Sequence, residues 1–155
     1  MLHADHLRKL IIKPTLTDLN LFSEEISELL MFTCAVESKG GTYLKQLFGP
    51  ALGIYQMEPK TYNDIWQNYI SKKLNLNLMM GIHFNAYTMI DELTLIYDLR
   101  FATAMAALHY NRIDMPLPDA NDPEALWAFY KKYYNTVQGS ANKDKAIFDY
   151  QQFVK

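Results

Sequence analysis

The chain is short of cysteine, of net charge and of long apolar runs, and each shortage excludes something. Its 155 residues hold one cysteine, Cys34, so no internal disulfide can form and a thiolate zinc site is out of reach. The fold must hold through packing. Lys and Arg number 15 against 17 Asp and Glu, a net charge of -2, which excludes a strongly basic nucleic-acid binder. Leu78-Met79-Met80-Gly81-Ile82 stops at His83, far below the roughly 18–20 apolar residues of a membrane-spanning helix. The opening Met1-Leu2-His3-Ala4-Asp5-His6-Leu7-Arg8 lacks the charged, apolar and small-residue regions of a secretory signal. A soluble product is expected, made in a cytoplasm and needing a carrier to act outside it. No internal repeat, low-complexity stretch or long linker divides the chain.

What is present suits one domain. Half of the residues are hydrophobic and 21% charged, enough apolar material for a core at a length of about one domain. Residues 1 to about 20, with Leu10-Ile11-Ile12 followed by Pro14, read as a docking arm in which the proline interrupts any helix. Ser23 before Glu24 and Glu25 reads as an N-cap with acids in the first turn. The helix it starts runs to about Ser38. Ile26, Leu30 and Thr33 lie on one face of it, and the next step along that face is Glu37. Lys39-Gly40-Gly41 ends the helix, since glycine accepts the positive φ of a C-cap.

From there to Met57 the chain carries Gly49, Pro50 and Gly53 and reads as loop and turn with a short extended piece. Pro59 opens a helix bearing Tyr62, Ile65, Trp66 and Tyr69. Lys72 to Asn85 fits strand and helix equally, because Leu74, Leu76 and Leu78 alternate while Met79-Met80 suits a buried helix. From about Asp91 to Arg112 the Ala-, Leu- and Met-rich run predicts the central helix. Asp122-Pro123-Glu124 restarts the chain as N-cap, N1 and N2 of a helix carrying Trp127, Tyr130 and Tyr134. A last short helix after Gly139-Ser140 carries Ala146, Phe148 and Phe153.

The chemistry concentrates in Glu37-Ser38-Lys39-Gly40-Gly41 and, twelve residues after Gly41, Gly53-Ile54-Tyr55-Gln56-Met57-Glu58-Pro59. An acid at a helix end precedes a flexible loop able to fold back over it. A carboxyl on a half-buried face has a raised pKa, because low dielectric penalises its charged form, and a carboxylic acid still protonated near neutral pH can serve as a general acid.

These two segments resemble the ES-x-G and G-L-M-Q signatures of soluble lytic transglycosylases and goose-type lysozymes, in the lysozyme-like superfamily. Tyr110-Asn111 matches a third element, a Tyr-Asn pair near the end of a long helix. The tail from His109 to Thr136 is similar to versions encoded by tailed bacteriophages. The resemblance implies a mainly α, single lysozyme-like domain around a central long helix, with little or no sheet. It implies that Glu37 protonates the glycosidic oxygen between N-acetylmuramic acid and N-acetylglucosamine and that Ser38 places the sugar or orients the acid. Gln56 and Tyr55 would line the cleft, Met57 would pack beneath it, and Tyr110 would hydrogen-bond the catalytic carboxyl. Arg112 stands shortly after the Tyr-Asn pair where the family commonly has Gly. No cofactor is implied.

Carboxylates separate the reaction types. None lies between Glu37 and Glu58, where goose-type and phage-type lysozymes carry a second, and hydrolytic glycosidases ordinarily use two. A lone acid fits lytic transglycosylation, with Asp64, Asp91, Glu92 and Asp98 as possible second carboxylates across the cleft. Trp127, Tyr130 and Tyr134 read as core rather than sugar subsites, Cys34 as a buried structural thiol, and His83 and His109 as ordinary partly buried histidines. His3 and His6 lack a third metal ligand. The expected function is cleavage of peptidoglycan glycan strands by a phage-encoded, virion-carried or lysis enzyme whose cleft is roofed by residues 39–56. The rivals are an inactive structural virion component, a lysozyme-type hydrolase and a bacterial housekeeping transglycosylase.

Overall fold

The first 20 residues, expected to be a docking arm broken at Pro14, are a helical segment seated in the core. The computed structural model describes residues 1–136 and 139–155. Helix α1 (Ala4–His6) runs into a π-helical stretch (Leu7–Ile12) and on into α2 (Lys13–Asp18). Pro14 lies in the first turn of α2, where its ring and missing N–H would disturb a regular turn before it. The wider turns of the π stretch, closed by Lys13 N–H on the Arg8 carbonyl, carry the chain past it. Leu7, Ile12, Leu16 and Leu19 are buried. Arg8 donates two hydrogen bonds of 3.2 Å to the Glu28 carboxylate, which fastens the segment to the next helix.

That helix, α3 (Glu24–Ser38), begins as its sequence reads: Ile26 N–H donates to Ser23 Oγ at 3.3 Å, and Glu24 and Glu25 stand in the first turn. It ends at Lys39, left-handed with φ 51°, followed by Gly40 and Gly41 at φ 62° and 81°. Leu29 to Ala35 are all buried, so α3 is surrounded rather than half-covered. Residues 39–58 are turn and loop, drawn together by isolated antiparallel bridges of Leu52 with Lys45 and Met57. Pro59 opens α4 (Pro59–Asn68), which buries Tyr62, Ile65 and Trp66. The ambiguous stretch is helical, α5 (Leu74–Phe84), turning Met80 and Gly81 inward and leaving Leu74, Leu78 and Ile82 exposed.

The helix expected from about Asp91 to Arg112 is two, α6 (Thr94–Tyr97) and α7 (Leu99–Asn111). The divider is Asp98, extended at φ -118° and ψ 102°, whose Oδ1 accepts the Phe101 N–H at 2.9 Å. A short acidic side chain that bonds backbone amides ahead of it favours a fresh N-cap over continuing the helix. Helix α7 is central as expected, with Phe101 to Leu108 and Tyr110 buried apart from nothing in that run. It packs on α3, where the hydroxyls of Thr33 and Tyr110 meet at 2.7 Å.

Asp122 caps α8 (Pro123–Tyr130), accepting the Glu124 and Ala125 N–H groups at 3.0 and 3.3 Å. A π-helical stretch (Lys131–Asn135) extends α8, and α9 (Lys143–Val154) closes the chain. On α9 the inward residues are Ala146, Tyr150 and Phe153; Phe148 is 58% exposed, because the buried stripe follows the helical period to position 150. Helix makes up 63% of the structure and strand 2%, with no sheet among the described residues. The mainly α single domain read from the sequence is what the chain forms.

Gly53 has φ +76°, and a Cβ there would stand 2.1 Å from the Leu95 carbonyl oxygen. Gly53→Ala is therefore expected to lower the unfolding free energy by about 2–4 kcal/mol, from the positive φ and the backbone clash together. Urea titration followed by circular dichroism checks it: an unchanged midpoint would mean that the loop does not press on α6.

Candidate active site

After the buried run Leu29–Ala35 the final turn of α3 comes back toward the surface, and Glu37 lies there, half-buried, one turn after the buried Thr33. Its carboxyl meets the last residue of α8: the Tyr130 hydroxyl donates to Glu37 Oε1 at 2.6 Å. The side chain of Asn135, closing the π stretch, lines the groove beside the carboxyl and accepts from the Lys131 ammonium at 2.7 Å. Burial pushes the Glu37 pKa up to about 7; the Tyr130 hydrogen bond and the nearby Asn135 amide favour the charged form and oppose the rise, while the nearby negative charge of Glu58 adds to it. The acid thus carries its proton close to neutral pH.

A groove of about 300 Å³ opens beside Glu37, lined among others by Tyr130, Asn135, Asn142, Lys145 and Asp149. Lys145 and Asp149 pair with each other along α9. The groove therefore presents one proton-bearing acid, the Lys145–Asp149 ion pair, two amide side chains and the Ser140 and Tyr130 hydroxyls, a surface suited to a hydroxyl-rich ligand.

Behind Tyr130 stands Tyr134, whose ring lies nearly parallel to it, centroids 6.1 Å apart and planes 21° apart. The Tyr134 hydroxyl donates to the Tyr55 carbonyl at 2.7 Å. Tyr55 is itself buried, and its hydroxyl lies 3.0 Å from Thr103 Oγ1 on α7. The loop segment Gly53–Met57 is therefore connected to the acid through two tyrosines of the C-terminal third of the chain.

Several expected roles fall elsewhere. Tyr110, expected to bond the catalytic carboxyl, bonds Thr33 instead. Thr33 gives its own proton to the Leu29 carbonyl, so Tyr110 is the donor of that pair, and Tyr130 takes the place beside Glu37. Ser38 does not face a ligand. It is fully buried, hydrogen-bonds the carbonyls of Ile54 at 2.6 Å and Cys34 at 3.1 Å, and accepts the Gly41 N–H at 2.8 Å, tying the helix end to the loop. Tyr55 is core rather than cleft lining, for the same reason of burial. Met57 is buried and bridges Leu52, but it is not among the residues that line the groove beside Glu37.

Gln56, half-buried with φ 47°, turns its amide onto the Gly53 carbonyl at 2.8 Å. Neither it nor any other residue of the loop 39–56 is among the groove's lining residues. The expected roof is thus not over the groove: Ser38 and the Leu52 bridges hold the loop back against the helix end, and the groove is walled from the C-terminal side.

The expected second carboxylates are also engaged away from Glu37. Asp64 accepts from Arg112 at 2.6 Å, Asp98 caps α7, Asp91 accepts the Leu93 N–H at 2.9 Å, and Glu92 lies with Asp91 near Tyr62. Arg112, standing where the family commonly has Gly, is right-handed at φ -74° and needs no glycine there; it also contacts His109 Nδ1 at 2.9 Å. Burial, with the Arg112 charge, pushes the His109 pKa down to about 4, so the ring is neutral. Burial pushes the Cys34 thiol up to about 12, which removes it as a nucleophile at neutral pH. The His3 and His6 rings stand 4.5 Å apart with no cluster of three metal-ligating residues among the described residues.

Three site residues escaped the reading of the sequence. Tyr130 is 93 positions from Glu37, and helical spacing marks it only as core. Asn135 and Asp149 carry no motif. The one available signal was the polar end of the Trp127-Tyr130-Tyr134 face, since a buried tyrosine hydroxyl must find a partner. Compared with family models, with curated proteins and with solved structures, the chain finds no match in any of the three.

A glutamate whose folded pKa lies above its ordinary 4.5 stabilises the fold in its protonated form. That contribution is complete below about pH 4.5 and disappears as pH rises through about 7. Glu37→Gln cannot titrate there, so the wild type is expected to lose stability relative to the variant as pH climbs from about 5 to about 8. Thermal or urea unfolding across that range checks it, and parallel curves would count against a buried, protonated Glu37.

Proposed function

We propose that the protein is a lytic transglycosylase that cleaves the β-1,4 bond between N-acetylmuramic acid and N-acetylglucosamine in peptidoglycan, with Glu37 as acid and then base. The observation that carries this reading is a carboxyl, raised to about 7 by burial, held by Tyr130 at the edge of a groove whose other carboxylate, Asp149, is ion-paired. The sequence resemblance at residues 37–59 supports the choice of substrate. With Oε1 engaged by Tyr130, Oε2 carries the transferable proton. Glu37 gives that proton to the glycosidic oxygen as the C–O bond breaks, assisted by the substrate's N-acetyl group. The resulting carboxylate then takes the proton of the muramyl 6-hydroxyl as that oxygen closes the 1,6-anhydro ring. No water is consumed, and Glu37 ends protonated as it began.

The setting we propose, from the resemblance of the tail to phage-encoded versions, is a phage enzyme that opens the wall during infection or lysis, carried with other virion proteins. No helix among the described residues is long and apolar enough to cross a membrane. A second reading, hydrolysis as in a muramidase, is favoured by Asp149, which lines the same groove as Glu37 and could serve as base for a water molecule.

Purified protein applied to a gel of embedded peptidoglycan is expected to clear it, and Glu37→Gln to lose at least about 100-fold of the rate, the scale of a missing general acid. Equal clearing by both would refute the role of Glu37, and no clearing by the wild type would favour a structural virion component. Mass spectrometry of the released muropeptides separates the chemistries. Anhydro ends, lighter by one water, are expected; reducing ends that vanish in Asp149→Asn would establish hydrolysis.

A further inference from the structure

We propose that Tyr134 is a positioning residue for Glu37: its hydroxyl, fixed on the Tyr55 carbonyl, holds its ring behind Tyr130 and so keeps the Tyr130 hydroxyl on the acid. This rests on the reading of Glu37 as the proton donor. Tyr134 donates to the Tyr55 carbonyl at 2.7 Å, its ring is 21° from parallel with that of Tyr130, and Tyr130 donates to Glu37 Oε1 at 2.6 Å. The chain of contacts has a rigid end. Tyr55 is buried with its own hydroxyl against Thr103 of the central helix, and it precedes Gln56, a residue of positive φ whose turn leaves the Tyr55 carbonyl outside any regular ladder. Such a carbonyl needs a donor when buried, and Tyr134 is that donor. Tyr130, by contrast, sits where α8 widens into π turns, a place with less regular backbone restraint. The neighbouring aromatic ring of Tyr110, 5.3 Å from Tyr134, closes the stack from the α7 side.

A purely structural Tyr134 would fill space and satisfy one carbonyl, and its removal would cost stability without changing how Glu37 titrates. A positioning Tyr134 makes a different demand. Loosening Tyr130 takes away a hydrogen bond that favours the carboxylate, so the proton affinity of Glu37 must rise. The other groups that face the carboxyl are Tyr110 on α7, Glu58 ahead of α4, Asn135, and Lys145 and Asp149 across the groove on α9. All of them keep their chemical identity in every variant, so the variants differ in the tyrosines alone.

The test is the titration of the Glu37 side-chain carboxyl, followed by carbon-13 NMR of the full chain labelled at glutamate, in the wild type, Tyr130→Phe, Tyr134→Phe and the double variant. Tyr130→Phe is expected to raise the proton affinity of Glu37 about tenfold, the effect of losing one hydrogen bond to the charged form. Tyr134→Phe should move it several-fold in the same direction and add nothing further in the Tyr130→Phe background. Tyr134→Met, which fills similar space without hydroxyl or ring, serves if the phenylalanine variant is unfolded. An unchanged titration in a folded position-134 variant, or an equal further shift in the double variant, overturns the proposal. The titration needs no substrate, so a wild type inactive on peptidoglycan would sink the proposed function while leaving this measurement to decide the role of Tyr134.

Discussion

The carboxyl of Glu37 bears a proton near neutrality because the helix that carries it is enclosed by other helices along most of its length. Helix α3 has α7, α8 and α9 packed on it as well as the π-helical stretch near the N-terminus. Nothing in its middle, from Leu29 to Ala35, touches solvent to any extent. A helix so enclosed delivers the side chain of its last turn into low dielectric, where the charged form of a carboxylate is disfavoured. Had α3 lain on the surface, the same residue would be an ordinary solvated glutamate. The site therefore depends on apolar packing before it depends on any polar contact.

The polar contacts act against that burial and define the geometry. Tyr130 and Asn135 both favour the charged carboxyl, Glu58 and burial the neutral one, and the balance leaves the acid at about 7. A group with this balance both gives and accepts a proton readily, which is what an acid that must later act as base requires. Tyr134 and Tyr55 add a mechanical link, from the loop through a carbonyl and a ring stack to the same carboxyl. The loop 39–56, expected over the acid, is connected to it from behind through these contacts and does not line the groove.

The elements that local chemistry decides were legible. Ser23 with its acids, Lys39-Gly40-Gly41, Pro59 and Asp122-Pro123 each set a helix end with bonds confined to a few neighbouring residues, and all four ends stand where they read. Asp98 is the same kind of signal and went unread because the residues on both sides of it favour helix so strongly. Pro14 misled in the opposite way: a π turn absorbed it, because burial of Leu7, Ile12 and Leu16 holds the segment helical through the proline.

Glu37 was legible in sequence by its position on the face of Ile26, Leu30 and Thr33, and the mainly helical character of the chain by composition and spacing. Both follow from a periodicity that each segment carries within itself. Its partner was not. Tyr110 and Tyr130 are both buried tyrosines on helices that pack against α3, and nothing local distinguishes the one that meets Thr33 from the one that meets Glu37. That choice, with the placing of α9 and its Lys145–Asp149 pair across the groove, is decided by how α8 and α9 dock on α3, because it depends on distances between segments some 90 or more positions apart in the chain.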